Sequence, residues 1–262
     1  MPLLPRSRGF PGNDRSAGTS GEEARGGKAK RLSKVQGGAW IGRFVGKRAA
    51  KRRIGLMGGT FDPIHFGHLV TAEEARVQFC LEKVIFIPNR HPPLKDPQEV
   101  TDPEHRYLMT VLATVGNPYF TVSRIEIDRP GPSYTIDTLR EFIRLYPDAD
   151  LFFITGADAL LQILRGMWHG ARELLQMCQF IAASRPGYVL DREQLERNNL
   201  TGNDLRNVHA MEIPALAISS TDIRERVRQG RPIKYLVPEP VEDYILKHGL
   251  YRGKATREGE GG

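Results

Sequence analysis

The chain has 262 residues, 38 Lys and Arg against 31 Asp and Glu, and an apolar fraction of 40%. That is enough for one large domain or two small ones with a sizeable core, and no apolar run nears the roughly 18–20 residues needed to cross a bilayer. The positive balance excludes less than it suggests: residues 1–53 hold fourteen Lys and Arg and three Asp and Glu, whereas the remainder holds 24 and 28. The basicity therefore belongs to the N-terminal segment, and no nucleic-acid partner is expected for the folded part.

Residues 1–39 are rich in Gly, Ser, Arg and Lys with little apolar periodicity, which predicts a disordered basic extension over 1–50. No apolar stretch there leads into a small-residue cleavage site, so it does not read as a secretory signal. From residue 51 the pattern alternates. Short apolar runs at 54–57, 84–88, 120–127, 151–155 and 180–183 have strand length, and helical stretches lie near 66–80, 104–115, 135–146 and 157–178. Such alternation implies an α/β fold, a Rossmann-like doubly wound parallel sheet in a single domain spanning 51–252, with a loose tail over 253–262. In these sheets ligands bind beyond the carboxyl ends of the strands, so the loops after Met57, Pro88, Thr155 and Ser184 should converge. The two cysteines, Cys80 and Cys178, lack metal or redox spacing, and a cytoplasmic location is expected.

The first of those loops reads GGTFDPIHFGHL, residues 58–69. Gly58 and Gly59 allow a tight turn and close approach of an anion to peptide N–H groups. A helix starting near Phe66 or Gly67 offers unpaired N–H groups and the positive end of its dipole. His65 and His68 are three apart and share a face at that helix start, with Gly67 between them. A metal site would need a third and fourth ligand, and no His, Cys, Asp or Glu cluster stands at a suitable spacing. The plainer alternative is two histidines satisfied within a glycine-rich turn. Loop, strand context and paired imidazoles together favour a nucleotide phosphate.

GGTFDPIHFGH resembles the G-x-F-D-P-x-H-x-G-H string of the nucleotidyltransferase superfamily, whose members join a nucleoside monophosphate to another phosphate or acid and release pyrophosphate. The resemblance implies that His65 and His68 contact the ATP phosphates. A second string, ISSTDIRERVRQG (218–230), has Ser219 or Ser220 as a helix N-cap, Asp222 in the first turn and Gly230 as the stop. It is similar to the superfamily's I-S-S-T-x-I-R element, in which the helix start and its arginine, here Arg224, complete the triphosphate site.

Further strings resemble bacterial nicotinate-nucleotide adenylyltransferases: PNRHPPLKD (88–96), GPSYTIDTL (131–139), FITGADALLQIL (153–164), SRPGY (184–188) and YLVPEPVEDYILKHGLY (235–251). The expected catalytic residues are then His65, His68 and Arg224. ATP is expected at Gly58, Gly59, Thr60, Phe61, Gly67, Gly156, Asp158, Ser219, Ser220 and Thr221. The mononucleotide is expected at Asp62, Lys95, Tyr134, Thr135 and Trp168. Lys95 is a mobile point charge suited to phosphate, and Asp158 follows a strand end where a carboxylate can accept ribose hydroxyls or help hold magnesium, a helix cap being the plainer alternative. Trp168 offers a flat face for a pyridine ring. It comes later after the G-x-D string than family spacing places its stacking tryptophan, and Leu94 stands where relatives often have histidine.

The reaction implied is ATP plus nicotinate mononucleotide giving deamido-NAD and pyrophosphate, with Mg²⁺ carried on the ATP phosphates; assembly into a homo-oligomer is left open. An enzyme for nicotinamide mononucleotide, or for both substrates, is the alternative within this class. From another class comes a nucleotide- or nucleic-acid-binding protein acting through its basic tail, which predicts salt-sensitive RNA or DNA binding lost on deleting residues 1–50. The enzyme reading expects catalysis to survive that deletion.

Overall fold

The structure, a computed structural model, describes residues 51–93, 95–184, 205–214 and 216–252. The expected N-terminal extension, Leu94, all of SRPGY after Ser184 and the C-terminal tail lie outside the described residues. Six strands form one parallel sheet: β1 (Arg52–Gly59), β2 (Lys83–Pro88), β3 (Phe120–Val122), β4 (Ala149–Gly156), β5 (Gln179–Ser184) and β6 (Val208–Glu212). Their order, β3-β2-β1-β4-β5-β6, is the doubly wound arrangement the alternation predicts. The chain reverses its winding between β1 and β4, which leaves a crevice at the ends of those two strands.

The strands read as unbroken apolar runs because both faces are covered. Met57, Phe86, Ile154 and Ile181 face one layer, formed by α1 (Phe66–Gln78), α2 (Pro103–Thr114), α7 (Ser220–Arg228) and α8 (Glu239–Lys247). Ile54, Leu56, Ile87, Phe153 and Phe180 face the other, formed by α4 (Thr135–Leu145), α5 (Ala157–Leu164) and α6 (Ala171–Met177). Gly55 is fixed by this packing, since a Cβ there would lie 2.9 Å from Leu81 Cδ1 and 3.0 Å from Ile154 Cδ1. Among the described residues no helix is long and apolar enough to cross a membrane.

Three expectations need correction. The strand read over 120–127 stops at Val122, because Ser123 Oγ accepts the Ile125 N–H at 3.3 Å and turns the chain into a short helix, α3 (Ile125–Asp128). The helix read over 157–178 is two helices, parted at Gly166 (φ +73°) and Gly170 (φ +69°), both left-handed. β6 was not anticipated. Only Met211 of its five residues is buried, so it carries no apolar run to read.

Candidate active site

β1 runs in register with β2 so that Gly59 lies opposite Pro88. Beyond that point Asn89 N–H donates to Gly59 O at 3.0 Å, which brings the loops after β1 and β2 together. Gly59 has no room for a side chain, since a Cβ would sit 2.8 Å from the Phe61 ring. Phe61 itself adopts φ +49°, is 2% exposed, and sets its ring edge-on to His68 with centroids 5.1 Å apart. The side chain expected to serve ATP is thus a buried support for an imidazole.

His65 is the N-cap of α1. Its backbone N–H donates to His68 Nδ1 at 3.2 Å, so a neutral His68 carries its proton on Nε2. The two rings stack with centroids 3.7 Å apart, and His65 Nδ1 is buried with no partner among the described residues. Gly67 serves this stack: a Cβ there would lie 2.9 Å from His65 Nδ1. Burial lowers the His65 pKa from its ordinary value to about 4. Burial, then the neighbouring His65 and Lys95, push His68 well down as well. Burial thus favours the neutral form of both rings.

The second string folds against the first. Ser219 is the N-cap of α7, its Oγ accepting from Asp222 N–H at 3.1 Å. Ser220 Oγ donates to Pro63 O at 2.9 Å, and Arg224 Nη1 donates to Asp62 O at 2.7 Å. Segments more than 150 residues apart in sequence therefore meet at the histidine loop, and the half-buried Arg224 lies beside it. Thr221 is exposed on the same turn. Asp62 behaves differently from expectation. It is 3% exposed, and its carboxylate accepts from Tyr251 O–H at 2.7 Å and Thr101 N–H at 3.2 Å, turned inward rather than towards a ligand. Lys95 as a whole residue is exposed, yet shielding of its ammonium, then Arg224, pull its pKa down against the opposing pull of Asp62.

A cavity of about 770 Å³ opens beside this loop, lined by Gly58, Gly59, Thr60, Lys95, Tyr134, Thr135 and Trp168 among others. The expected mononucleotide residues other than Asp62 are thus brought together. Trp168 lines the cavity despite its late position, its Nε1–H donating to Gln162 Oε1 at 3.2 Å. α4 begins at Thr135 with no side-chain cap, which leaves first-turn N–H groups free for an anion. Gly156, not Asp158, is the N-cap of α5; it is exposed with open space where a side chain would be, and Asp158 is exposed in the first turn.

Sequence reasoning missed several residues. His169 lines the cavity with its ring 4.7 Å from that of Tyr134. Glu126, 6% exposed, also lines it and accepts from Thr138 O–H at 2.6 Å; burial raises its pKa. Arg106 is fully buried beneath the two loops and donates to Thr60 O, Asn89 O, Arg90 O and Thr101 O. A signal existed for the last. Arg106 stands at helical spacing with the buried Met109 and Thr110, a cation on the core face of α2.

The cytidylyltransferase-like family matches residues 56–226. A probable nicotinate-nucleotide adenylyltransferase of Moorella thermoacetica is 59% identical over 201 residues, spanning 76% of this chain and 92% of that protein. One from Saccharopolyspora erythraea is 54% identical over 209 residues, spanning 80% and 94%. Among solved structures, Plasmodium falciparum nicotinic acid mononucleotide adenylyltransferase complexed with NaAD superposes with a TM-score of 0.63 at 21% identity, covering 76% of this chain and 97% of that one, a likeness of fold. With both strings joined at the switch point of the sheet and relatives of this identity spanning nearly their whole length, the chain belongs to the cytidylyltransferase-like family and, within it, to the nicotinate-nucleotide adenylyltransferases.

Proposed function

We propose that the protein transfers AMP from ATP to nicotinate mononucleotide, releasing pyrophosphate and forming deamido-NAD, an adenylyl step of NAD biosynthesis. The observation that carries this reading is the pair of hydrogen bonds from Ser220 and Arg224 to Pro63 O and Asp62 O, which set a cationic helix start against the paired histidines beside the cavity. ATP lies along Gly58–Thr60 with its phosphates between the histidines and α7. The mononucleotide occupies the cavity, its ring against Trp168 and its carboxylate at the free N–H groups where α4 begins.

The substrate's 5′-phosphate is already an anionic nucleophile and attacks the α-phosphorus in line, so no general base is needed. What remains is orientation and charge neutralisation. His65 and His68 start neutral, and an arriving polyphosphate opposes the burial that keeps them so; their N–H groups and the Arg224 guanidinium meet the charge on the α-phosphoryl oxygens and the departing pyrophosphate. Lys95 reaches the phosphates from the loop after β2. Mg²⁺ brought by ATP would supply further neutralisation of the polyphosphate charge. Among the described residues no group of three or more His, Cys, Asp or Glu is placed to hold a metal. Both cysteines are free, which suits a reducing cytoplasm.

The test is pyrophosphate release measured with ATP and either mononucleotide. A kcat/KM higher for nicotinate mononucleotide is expected; equal values for both, or preference for the amide, would replace the substrate assignment, and no release with either would overturn the reading.

A further inference from the structure

Arg106 is a buried cation that the reaction above leaves without a role. We propose that Arg106 is a positioning residue that ties the glycine loop after β1 to the loop after β2, so that ATP and the mononucleotide are held in one register. The inference rests on the adenylyl-transfer reading.

Its guanidinium donates from all three nitrogens to the backbone of three segments. Nε donates to Thr101 O at 2.8 Å. Nη1 donates to Thr60 O at 2.8 Å and to Asn89 O at 2.7 Å, with Asn89 Oδ1 at 3.2 Å, and Nη2 donates to Arg90 O at 3.0 Å. None of these partners is a carboxylate. A buried arginine retained only for packing would be expected to pair with one, or to be replaceable by an apolar side chain. Here the planar fork instead fixes the direction of four peptide carbonyls.

The direction matters because a trans peptide points its N–H opposite to its C=O. With Asn89 O and Arg90 O turned down to Arg106, the N–H groups of Arg90 and His91 point the other way. Both donate to Ser133 Oγ, at 3.0 and 3.3 Å. Ser133 immediately precedes Tyr134 and Thr135 on the cavity wall, so the clamp reaches the mononucleotide side. Through Thr60 O it holds the end of the glycine loop on the ATP side. Thr101, whose carbonyl accepts from Nε, gives its own N–H to the Asp62 carboxylate, and Asp62 O receives Arg224. One side chain thus orients backbone on both sides of the reacting atoms. A lysine there would keep the charge but offer three donors from one nitrogen and could not reach acceptors on all these segments.

Two measurements on the full chain test this. In R106K and R106M the folded protein should lose about 10–100-fold in kcat, with KM for ATP and for nicotinate mononucleotide rising together. A residue that only stabilises the fold would lower Tm and leave both constants of the folded fraction unchanged. Should either variant fail to fold, the wild type still decides. Its slowly exchanging Arg106 guanidinium protons, followed by NMR in ¹⁵N-arginine protein, should shift on adding a nonhydrolysable ATP analogue and, separately, nicotinate mononucleotide. Folded variants with kcat and both KM values within about twofold of wild type, or resonances unmoved by either ligand, overturn the proposal. Wild-type protein that releases no pyrophosphate would overturn the adenylyl reading instead, and the NMR arms would still test the clamp.

Discussion

Gly67→Ala separates the stability of the histidine loop from its chemistry. Gly67 has no left-handed backbone, so the substitution adds only a methyl group. That methyl would sit 2.9 Å from His65 Nδ1 and 3.0 Å from Cε1, against an ordinary contact of about 3.5–4.0 Å, so the ring must retreat by about 0.5–1 Å. It is 6% exposed and stacked on His68, and the shift passes to the second ring. The stability terms oppose each other. Overpacking costs about 1–3 kcal/mol, while alanine in place of glycine inside a helix returns up to about 1 kcal/mol. The net loss should be about 0–3 kcal/mol, leaving a folded protein.

Turnover has no such compensation. Displacing phosphate donors by about 1 Å costs on the order of 10²-fold, equivalent to about 2.7 kcal/mol of barrier. Urea unfolding and pyrophosphate release measured on the same preparation provide the comparison. Turnover within about threefold of wild type would show that the stack can move freely, and would refute the claim that Gly67 is small for the sake of His65.

His68→Ala should keep the fold and lose about 10²–10³-fold in turnover at saturating substrates, because it removes a donor to charge that develops in the transition state; near wild-type release would remove the histidines from the mechanism. Trp168→Ala should raise KM for the mononucleotide by about tenfold or more while leaving KM for ATP near wild type, consistent with a stacking contact of about 1–2 kcal/mol. Because burial lowers the His65 pKa to about 4, the unfolded chain binds a proton there that the folded one refuses. The His65 contribution to stability should therefore be complete above about pH 6.5 and fall as the pH drops towards 4, by about 3 kcal/mol; urea midpoints at several pH values check this, and His65→Gln should make the curve shallower, with the His68 contribution remaining.

The fold was legible because a parallel sheet covered on both faces writes its strands as unbroken apolar runs. The exceptions are the elements with little apolar content or unusual punctuation. Edge strand β6 buries a single residue, and the break between α5 and α6 rests on left-handed Gly166 and Gly170 inside an otherwise helical apolar pattern. At the site, sequence singled out the glycines, the histidines, Lys95 and the start of α7, segments that the fold brings together. It missed Arg106, Glu126 and Tyr251, whose roles come from distant partners; Tyr251 lies 189 positions from the carboxylate it binds. Asp62 shows the limit most clearly. An acid beside the motif histidines reads as a ligand-facing group, and only the fold reveals that Tyr251 and Thr101 have already taken its oxygens.

That inward carboxylate also bears on how cations from three segments converge on the histidine loop. Beyond the effect of burial, Arg224 and Arg106 both lie close enough to Lys95 to lower its pKa. Asp62 is the group that raises it, and it also supports the charge on Arg106. A single buried negative charge thus offsets part of the repulsion among three positive ones, while its hydrogen bonds keep it from entering the ligand space. The balance left over is positive. Neutral histidines add donors without adding to that repulsion, so the free loop can stay folded and still attract a polyanion. Had the histidines been charged in the free state, the loop would carry five cations against one carboxylate, at a desolvation cost that burial of His65 already shows the fold avoids.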